Sequence, residues 1–373
     1  MSGKRPDTFK NKLLNNTNKT MNDYLNSEND FPFLFDKTFH IMSHMKGVKV
    51  SNGWMTYAEG LGKKLLGHLT AVYSLYRGTN IILHNKAEIK FIDFSSICIL
   101  SRAALETYLT FYFIFCDSKN QSEREFRYLV WDLAGYIERQ GFLVELKESR
   151  RIKEKELNEL NEVKKKIRSH QYFNSLSDSL KNRVLNGDWK MGNKIPDVAE
   201  KAGFSKEYIG TLYSYLCGHS HTSRASAMQV YQAEDFQMQK ELAVSEVGIA
   251  TILISCFLFD YSTLFFQIKN AFEKDKATYN CARAWRELGH NLKTSELEVI
   301  EYIANELQID PHDLSKSTTF ESLNLSNERI IELAKKFCKT HFITIDKDTM
   351  DNLKSINDLI EIVQVVRENT KLD

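Results

Sequence analysis

In 373 residues there are only 4 Pro and 16 Gly. A protein made of many short strands needs a breaker at nearly every turn, so a chain with so few is left to form long, uninterrupted helices. The expected fold class is all-α, a large helical bundle followed by a small three- or four-helix bundle. A hydrophobic content of 42% fills a packed core, and the length suits two or three domains.

Apolar spacing places the helices. Leu61, Leu65, Leu66, Leu69, Val72, Tyr73 and Tyr76 recur at helical intervals. A short His-Asn connection leads from them into an apolar helix beginning at Ile92, which should pack antiparallel to the first. From Glu123 to about His170 helical spacing persists, with Phe126, Leu129, Val130 and Leu133 in its first half. The second half, KESRRIKEKELNELNEVKKKIRSH, is almost wholly charged and is expected, as a helical arm near 145–170, to project from the bundle or to form a solvated hairpin arm. NGDWKMGNKIPD marks a loop, and Pro196 suits the start of a helix. Gly289 and Asn291 supply a helix stop near residue 290. Residues 1–30, rich in Asn and Lys, read as a mobile or peripheral arm, 31–290 as the large bundle, and 291–373 as a separate small domain.

Two apolar segments, Ile92 to Cys116 and Val247 to Ile268, raise the question of a membrane. Arg102 and Glu106 interrupt the first, and the second holds only 13 uncharged residues between Glu246 and Asp260. A span needs about 20. Both segments read as central helices of a soluble bundle, with no membrane span. The first twenty residues lack the apolar run of a secretory signal, and six scattered cysteines suit a reducing compartment, so a cytoplasmic location is expected.

The net charge of +1 gives no chain-wide field for nucleic acid. It hides an asymmetry. Residues 290–373 carry 10 Lys plus Arg against 16 Asp plus Glu, a balance of −6, which leaves 40 against 33, or +7, for the rest. The basic stretch from Lys147 to Arg168 is interleaved with Glu, so a solvated face is the stronger reading and nucleic-acid binding has no support. No GxxxxGK[ST], GxGxxG after a strand, HExxH or GxSxG occurs, which removes support for P-loop, Rossmann, zincin and α/β-hydrolase chemistry. No cofactor is expected.

The C-terminal stretch from Ser295 has a distinct pattern. Val299, Ile300, Ile303 and Leu307 make one buried stripe, followed by Ile309-Asp310-Pro311 and a loop through Phe320-Glu321-Ser322-Leu323. A second helix carries Ile330, Ile331, Leu333, Ala334 and Phe337; then come Phe342-x-Thr344-x-Asp346 and Ser355-Ile356-Asn357-Asp358-Leu359-Ile360. Over about seventy residues this closely resembles an acyl carrier protein. The resemblance implies a small three- or four-helix bundle with an acidic docking surface, but it departs at the attachment site. The family's Asp-Ser-Leu aligns with Ser326-Asn327-Glu328, and Asn327 has no hydroxyl to carry phosphopantetheine. Ser326 is better placed as a helix N-cap, with a one-residue slip that makes it the attachment site as the alternative. A degenerate carrier fold is expected, docking a protein partner, in cis or in trans, through Ser326, Glu328 and Glu332.

In the larger part, Ser101-Arg102-Ala103-Ala104-Leu105-Glu106-Thr107-Tyr108 and Tyr213 to His221 resemble an uncharacterised group of bacterial all-helical domains of unknown function, over about 90–230. That group lends no activity. Arg102 and Glu106, four apart, can pair on one helix face. They form either a structural clasp or a polar pocket with His221 or His219. In the pocket version Glu106 is the general acid or base, Arg102 neutralises an anion such as phosphate, and His221 relays a proton. Cys217-x-His219-x-His221 does not have a standard zinc spacing, and no metal is expected. Arg77-x6-His84 fits the Arg-x4–6-His pattern of certain helical ribonuclease toxins, but with 15 Arg and 10 His about one such match arises by chance.

The expected function is a bacterial cytoplasmic interaction or regulatory protein, of stress- or phage-defence type by analogy with multi-domain helical bacterial proteins. The alternative is a phosphodiester- or ester-cleaving enzyme working at Arg102, Glu106 and His221.

Overall fold

The structure is a computed structural model and describes residues 25–50, 52–292, 295–310, 313–340, 349–350 and 352–369. Residues 1–24 of the N-terminal arm, Pro311, and the Phe342, Thr344 and Asp346 pattern lie outside the described residues.

The fold is all-α. The described residues form sixteen helices, two short helical turns of other pitch, and a single two-stranded sheet. Helix α1 (Ser27–Ser43) is followed by a 3-10 turn, Gly53–Met55, that runs into α2 (Thr56–Tyr76). Between α2 and α3 (Phe94–Phe111), where the sequence suggested only a short connection, stands a hairpin of β1 (Thr79–Ile82) and β2 (Glu88–Phe91). The reversal is local. Lys86 takes φ of 64°, the left-handed position that closes a short hairpin loop, and Leu83 N–H bonds to Ala87 O at 2.8 Å. Helix α3 then continues as one π-helical turn, Tyr112–Cys116, in which Asp117 N–H reaches back five residues to Tyr112 O.

Next come α4 (Gln121–Gln140), α5 (Lys147–Ser169), α6 (Gln171–Asn174), α7 (Asp178–Leu185), α8 (Ile195–Lys201) and α9 (Lys206–Ser220). The large bundle closes with α10 (Arg224–Gln232), α11 (Phe236–Leu264), α12 (Phe266–Lys274) and α13 (Lys276–Asn291). The C-terminal unit comprises α14 (Ser295–Leu307), α15 (Asn327–Thr340) and α16 (Ile356–Asn369).

Helix α11 is the axis of the bundle. Beyond its first turns it is apolar on nearly every side, and a helix of that kind has to be enclosed. α1, α2, α3 and α13 all pack on it. Among the described residues, it and the α3 segment are the two helices long and apolar enough to cross a membrane, but 89% and 61% of their most apolar windows are buried inside the protein. α2 approaches α11 closely at Gly62, where a Cβ would lie 2.6 Å from the Phe257 ring. α13 does the same at Gly289, where a Cβ would collide with Ile252.

The helical pattern from Glu123 to His170 breaks at residues 141–146, and α5 folds back along α4. Leu160, Val163 and Ile167 of α5 then meet Phe126, Leu129, Val130 and Leu133 of α4 in a small second core closed by Phe173 and Val184. A third core, from Val299 to Val363, belongs to α14, α15 and α16, while the first core ends at Leu292.

Candidate functional site

Ser95, Cys98, Arg102 and Glu106 are spaced three, four and four along α3, so they share one stripe. Asp93 fixes the start of that helix, accepting the Ser96 amide at 3.0 Å and the Ser96 hydroxyl at 2.6 Å. α9, whose first turn is capped by Ser205, runs antiparallel to α3 along this stripe, so that His219 meets Ser95 and Tyr213 meets Arg102 and Glu106.

At the outer end, three side chains close a ring. Arg102 Nε donates to Glu106 Oε1 at 3.0 Å, Tyr213 Oη donates to the same oxygen at 2.6 Å, and Arg102 Nη2 donates to Tyr213 Oη at 3.2 Å. The guanidinium also lies 5.2 Å from the centre of the Tyr213 ring. Burial works against the Arg102 charge, but the bonds to Tyr213 and Glu106 outweigh it and hold the guanidinium above its ordinary range. Burial first, then the Glu106 carboxylate, push the Tyr213 phenol up to about 12. The ring is not sealed, since the Arg102 and Glu106 side chains keep 25% and 38% of their surface.

Deeper in the same seam His219, Cys98 and Glu246 are buried. His219 Nδ1 lies 3.2 Å from Ser95 Oγ, and its ring is wedged edgewise against Phe94 and Tyr215. Tyr215 donates to Gln229 of α10 at 3.2 Å, and burial raises its phenol pKa. Cys98 donates its thiol proton to Glu246 Oε1 at 3.5 Å, deep within α11. Four helices, α3, α9, α10 and α11, thus contribute to one polar line running from the surface to a fully buried carboxylate.

The site residues read from the sequence separate here. Arg102 and Glu106 pair, and Tyr213 completes them. His221 does not join: it caps the end of α9, is exposed, and makes no side-chain hydrogen bond to either. His219, two residues earlier, turns inward instead. Residues two apart on a helix point in different directions, so Cys217, His219 and His221 do not converge, and no group of three potential metal ligands occurs among the described residues. Gly218 between them leaves room for Ser223, whose Oγ lies 2.9 Å from where a Cβ would be. Arg77 ends α2 while His84 sits in the hairpin loop, so their spacing does not place them on one helix face.

Sequence reasoning missed Ser95, Tyr213 and Glu246. Glu246 had a signal, because it bounds the most apolar run in the chain, but the run was read as starting after it. In the structure both Glu246 and Asp260 lie inside α11 and are buried. Asp260 accepts the Tyr108 hydroxyl at 2.7 Å, and burial raises its carboxyl to about 6, with Tyr108 and Arg286 pulling the other way. Nearby, His290 is lowered to about 4 by burial and by Arg286, and its Nε2 lies 3.9 Å from Cys256 Sγ.

In the C-terminal unit Ser326 Oγ accepts the Arg329 amide at 3.3 Å, an N-cap at the start of α15. Glu332 is exposed and receives Arg329 at 2.7 Å, and Glu328 is exposed beside it. The acid on α15 is confined to these first turns, since Lys335 and Lys336 follow, the latter bound to Glu306 of α14 at 2.6 Å.

Residues 63–238 match a family of unknown function, DUF5677. The matched stretch runs from α2 to the first turn of α11, so it includes the Arg102, Glu106 and Tyr213 ring and the His219 contact, and it contains the 90–230 region of the resemblance drawn from sequence. No curated protein and no solved structure matches the chain.

Proposed function

We propose that this chain is a cytoplasmic interaction or regulatory protein, of bacterial stress- or phage-defence type, in which the helical bundle is a scaffold and the C-terminal unit docks a protein partner. The observation that carries this reading is the closed ring of Arg102, Glu106 and Tyr213. The three side chains bond to one another, and His221 is not among them. A general acid or base has to reach a substrate proton, whereas a closed ring between two helices sets their register. The C-terminal unit supports the docking half. Its order of helices and long α14–α15 loop suit a carrier-like module without a prosthetic arm, with Ser326 used as a cap and Glu328 and Glu332 offered to solvent.

One observation favours the alternative, a phosphodiester- or ester-cleaving enzyme: both Arg102 and Glu106 remain open to solvent. Growth of a bacterial host separates the two readings, once circular dichroism shows each variant folded. The docking reading expects any growth effect of the intact chain to survive Arg102→Ala/Glu106→Ala/His221→Ala and to be lost in Glu328→Lys/Glu332→Lys. The reverse pattern overturns it. A mass increment at Ser326 after incubation with a phosphopantetheinyl transferase overturns the degenerate-carrier part.

A further inference from the structure

The β1–β2 hairpin leaves a polar backbone edge and an apolar face open at once. Residues 80–90 are exposed throughout, the aliphatic side chains of Ile81, Ile82, Leu83 and Ile89 included. Two strands alone are marginal in water, and three or more with an apolar face are the usual minimum. The inner strand is already engaged. Lys90 of β2 lies 4.4 Å from the Phe236 ring centre, and Ile92 N–H donates to Gln239 of α11 at 2.8 Å. The outer strand β1 reads Thr-Asn-Ile-Ile, with neither charge nor proline, the devices that normally guard an edge, whereas β2 carries Glu88 and Lys90.

The register decides which partner fits β1. Leu83 N–H bonds to Ala87 O, and Ile81 stands opposite Ile89, so by antiparallel alternation Thr79, Ile81 and Leu83 turn their backbone groups toward β2. Asn80 and Ile82 turn theirs outward. A second copy of the same strand, placed antiparallel about a two-fold axis at Ile81, sets Asn80 opposite Ile82 of the copy and Ile82 opposite Asn80. Both are hydrogen-bonding pairs. The same register lines up Ile89, Ile81, Ile81 of the copy and Ile89 of the copy on one face, with Leu83 flanking. On the other face Lys90 and Glu88 of opposite copies end each row, so no like charges meet. A slip of one residue would pair the apolar face with the polar one and misalign the donors.

We propose that β1 is a self-association edge, at which two copies of this chain join their hairpins into one four-stranded antiparallel sheet centred on Ile81. The interface is isologous, each strand offering the other the same donors and the same aliphatic row.

Sedimentation of the full chain over a range of micromolar concentrations tests this, with two kinds of variant. The intact chain should sediment as a dimer. Ile81→Lys sets two like charges face to face at the axis, and Ile82→Pro removes an outward donor; each should weaken association at least tenfold with unchanged far-ultraviolet circular dichroism. The register has its own readout. A residue at the axis faces its own copy across a non-hydrogen-bonded pair, about 4.5 Å between Cα atoms, within reach of a disulfide. Ile81→Cys should therefore give a covalent dimer on treatment with diamide, while Asn80→Cys, which faces Ile82 of the copy, and the unaltered chain should not. A chain that stays monomeric, a dimer indifferent to both Ile81→Lys and Ile82→Pro, or equal cross-linking of the two cysteine variants overturns the proposal.

Discussion

Two Arg–Glu pairs with the same four-residue spacing sit on consecutive helices and differ in nearly everything else. Arg102 and Glu106 on α3 hold each other at 3.0 Å at the surface, with 25% and 38% of their side chains in water. Arg127 and Glu123 on α4 meet at 2.6 Å and are almost wholly enclosed. The buried pair is held by an entire shell. Arg127 also reaches Asp117 at 2.7 Å and the Phe113 carbonyl at 2.6 Å, while Glu123 accepts the Lys119 amide and the Tyr172 hydroxyl. The π-helical turn supplies that carbonyl and delivers Asp117 just beyond its end. The spacing permits a pair, but the neighbouring elements decide whether it is a tie between helices at the surface or the anchor of a core.

Removing a cation is the most forceful way to break this comparison. Arg127→Ala leaves Glu123 and Asp117 facing a cavity, and one uncompensated member of a buried pair costs about 3–5 kcal/mol. Urea denaturation should show a loss of that size, against a much smaller one for Arg102→Ala. Acid titration adds a sign. Burial raises the Glu123 pKa, but the Lys119 amide and Arg127 overcome it and hold the carboxyl below its ordinary value. Its contribution is therefore present above the unfolded carboxyl range near pH 4.5 and is lost as pH falls through the folded value, a limb that Glu123→Gln should lack.

Asp260 sharpens the contrast, because it is a buried acid without a salt bridge among the described residues. Its folded pKa, raised to about 6, means the folded state holds the proton more tightly than the unfolded one. Stability is thus lost as pH climbs from the unfolded range toward 6, and the full penalty applies above it. Asp260→Asn keeps an acceptor for Tyr108 and removes the charge, so it should raise stability by about 3 kcal/mol at pH 8 and by little at pH 4. Equal melting temperatures for the two chains at pH 8 would refute this.

The surface ring should give the smallest effects. Tyr213→Phe removes two hydrogen bonds and leaves Arg102 and Glu106 paired, a loss of about 1 kcal/mol. Glu106→Gln should cost less than about 1 kcal/mol and matter less still as salt is added. A loss comparable to that of Arg127→Ala would mean the ring is an enclosed anchor after all.

The sequence carried the helical class far. The stripe from Leu61 to Tyr76, the break near Gly289, the charged second half of the α4–α5 arm and the apolar positions of α14 and α15 all follow from local spacing, which a helix imposes on any chain that forms one. The site was legible only in part. Arg102 and Glu106 were visible because their partner is four residues away, whereas Tyr213 lies 107 positions beyond Glu106 and nothing in the spacing points to it. His221 and His219 lie within one short motif that offers both, and only the packing of α9 on α3 shows which of them turns inward.

What the amino-acid sequence determined alone was therefore periodicity: which segments are helices, which face of each is apolar, and where charge collects. Burial was decided by tertiary structure, since it depends on which faces meet. The folding back of α5, the enclosure of Glu246 and Asp260, and the opposite fates of two identically spaced Arg–Glu pairs are set by contacts between residues far apart in the chain, and no local pattern encodes those.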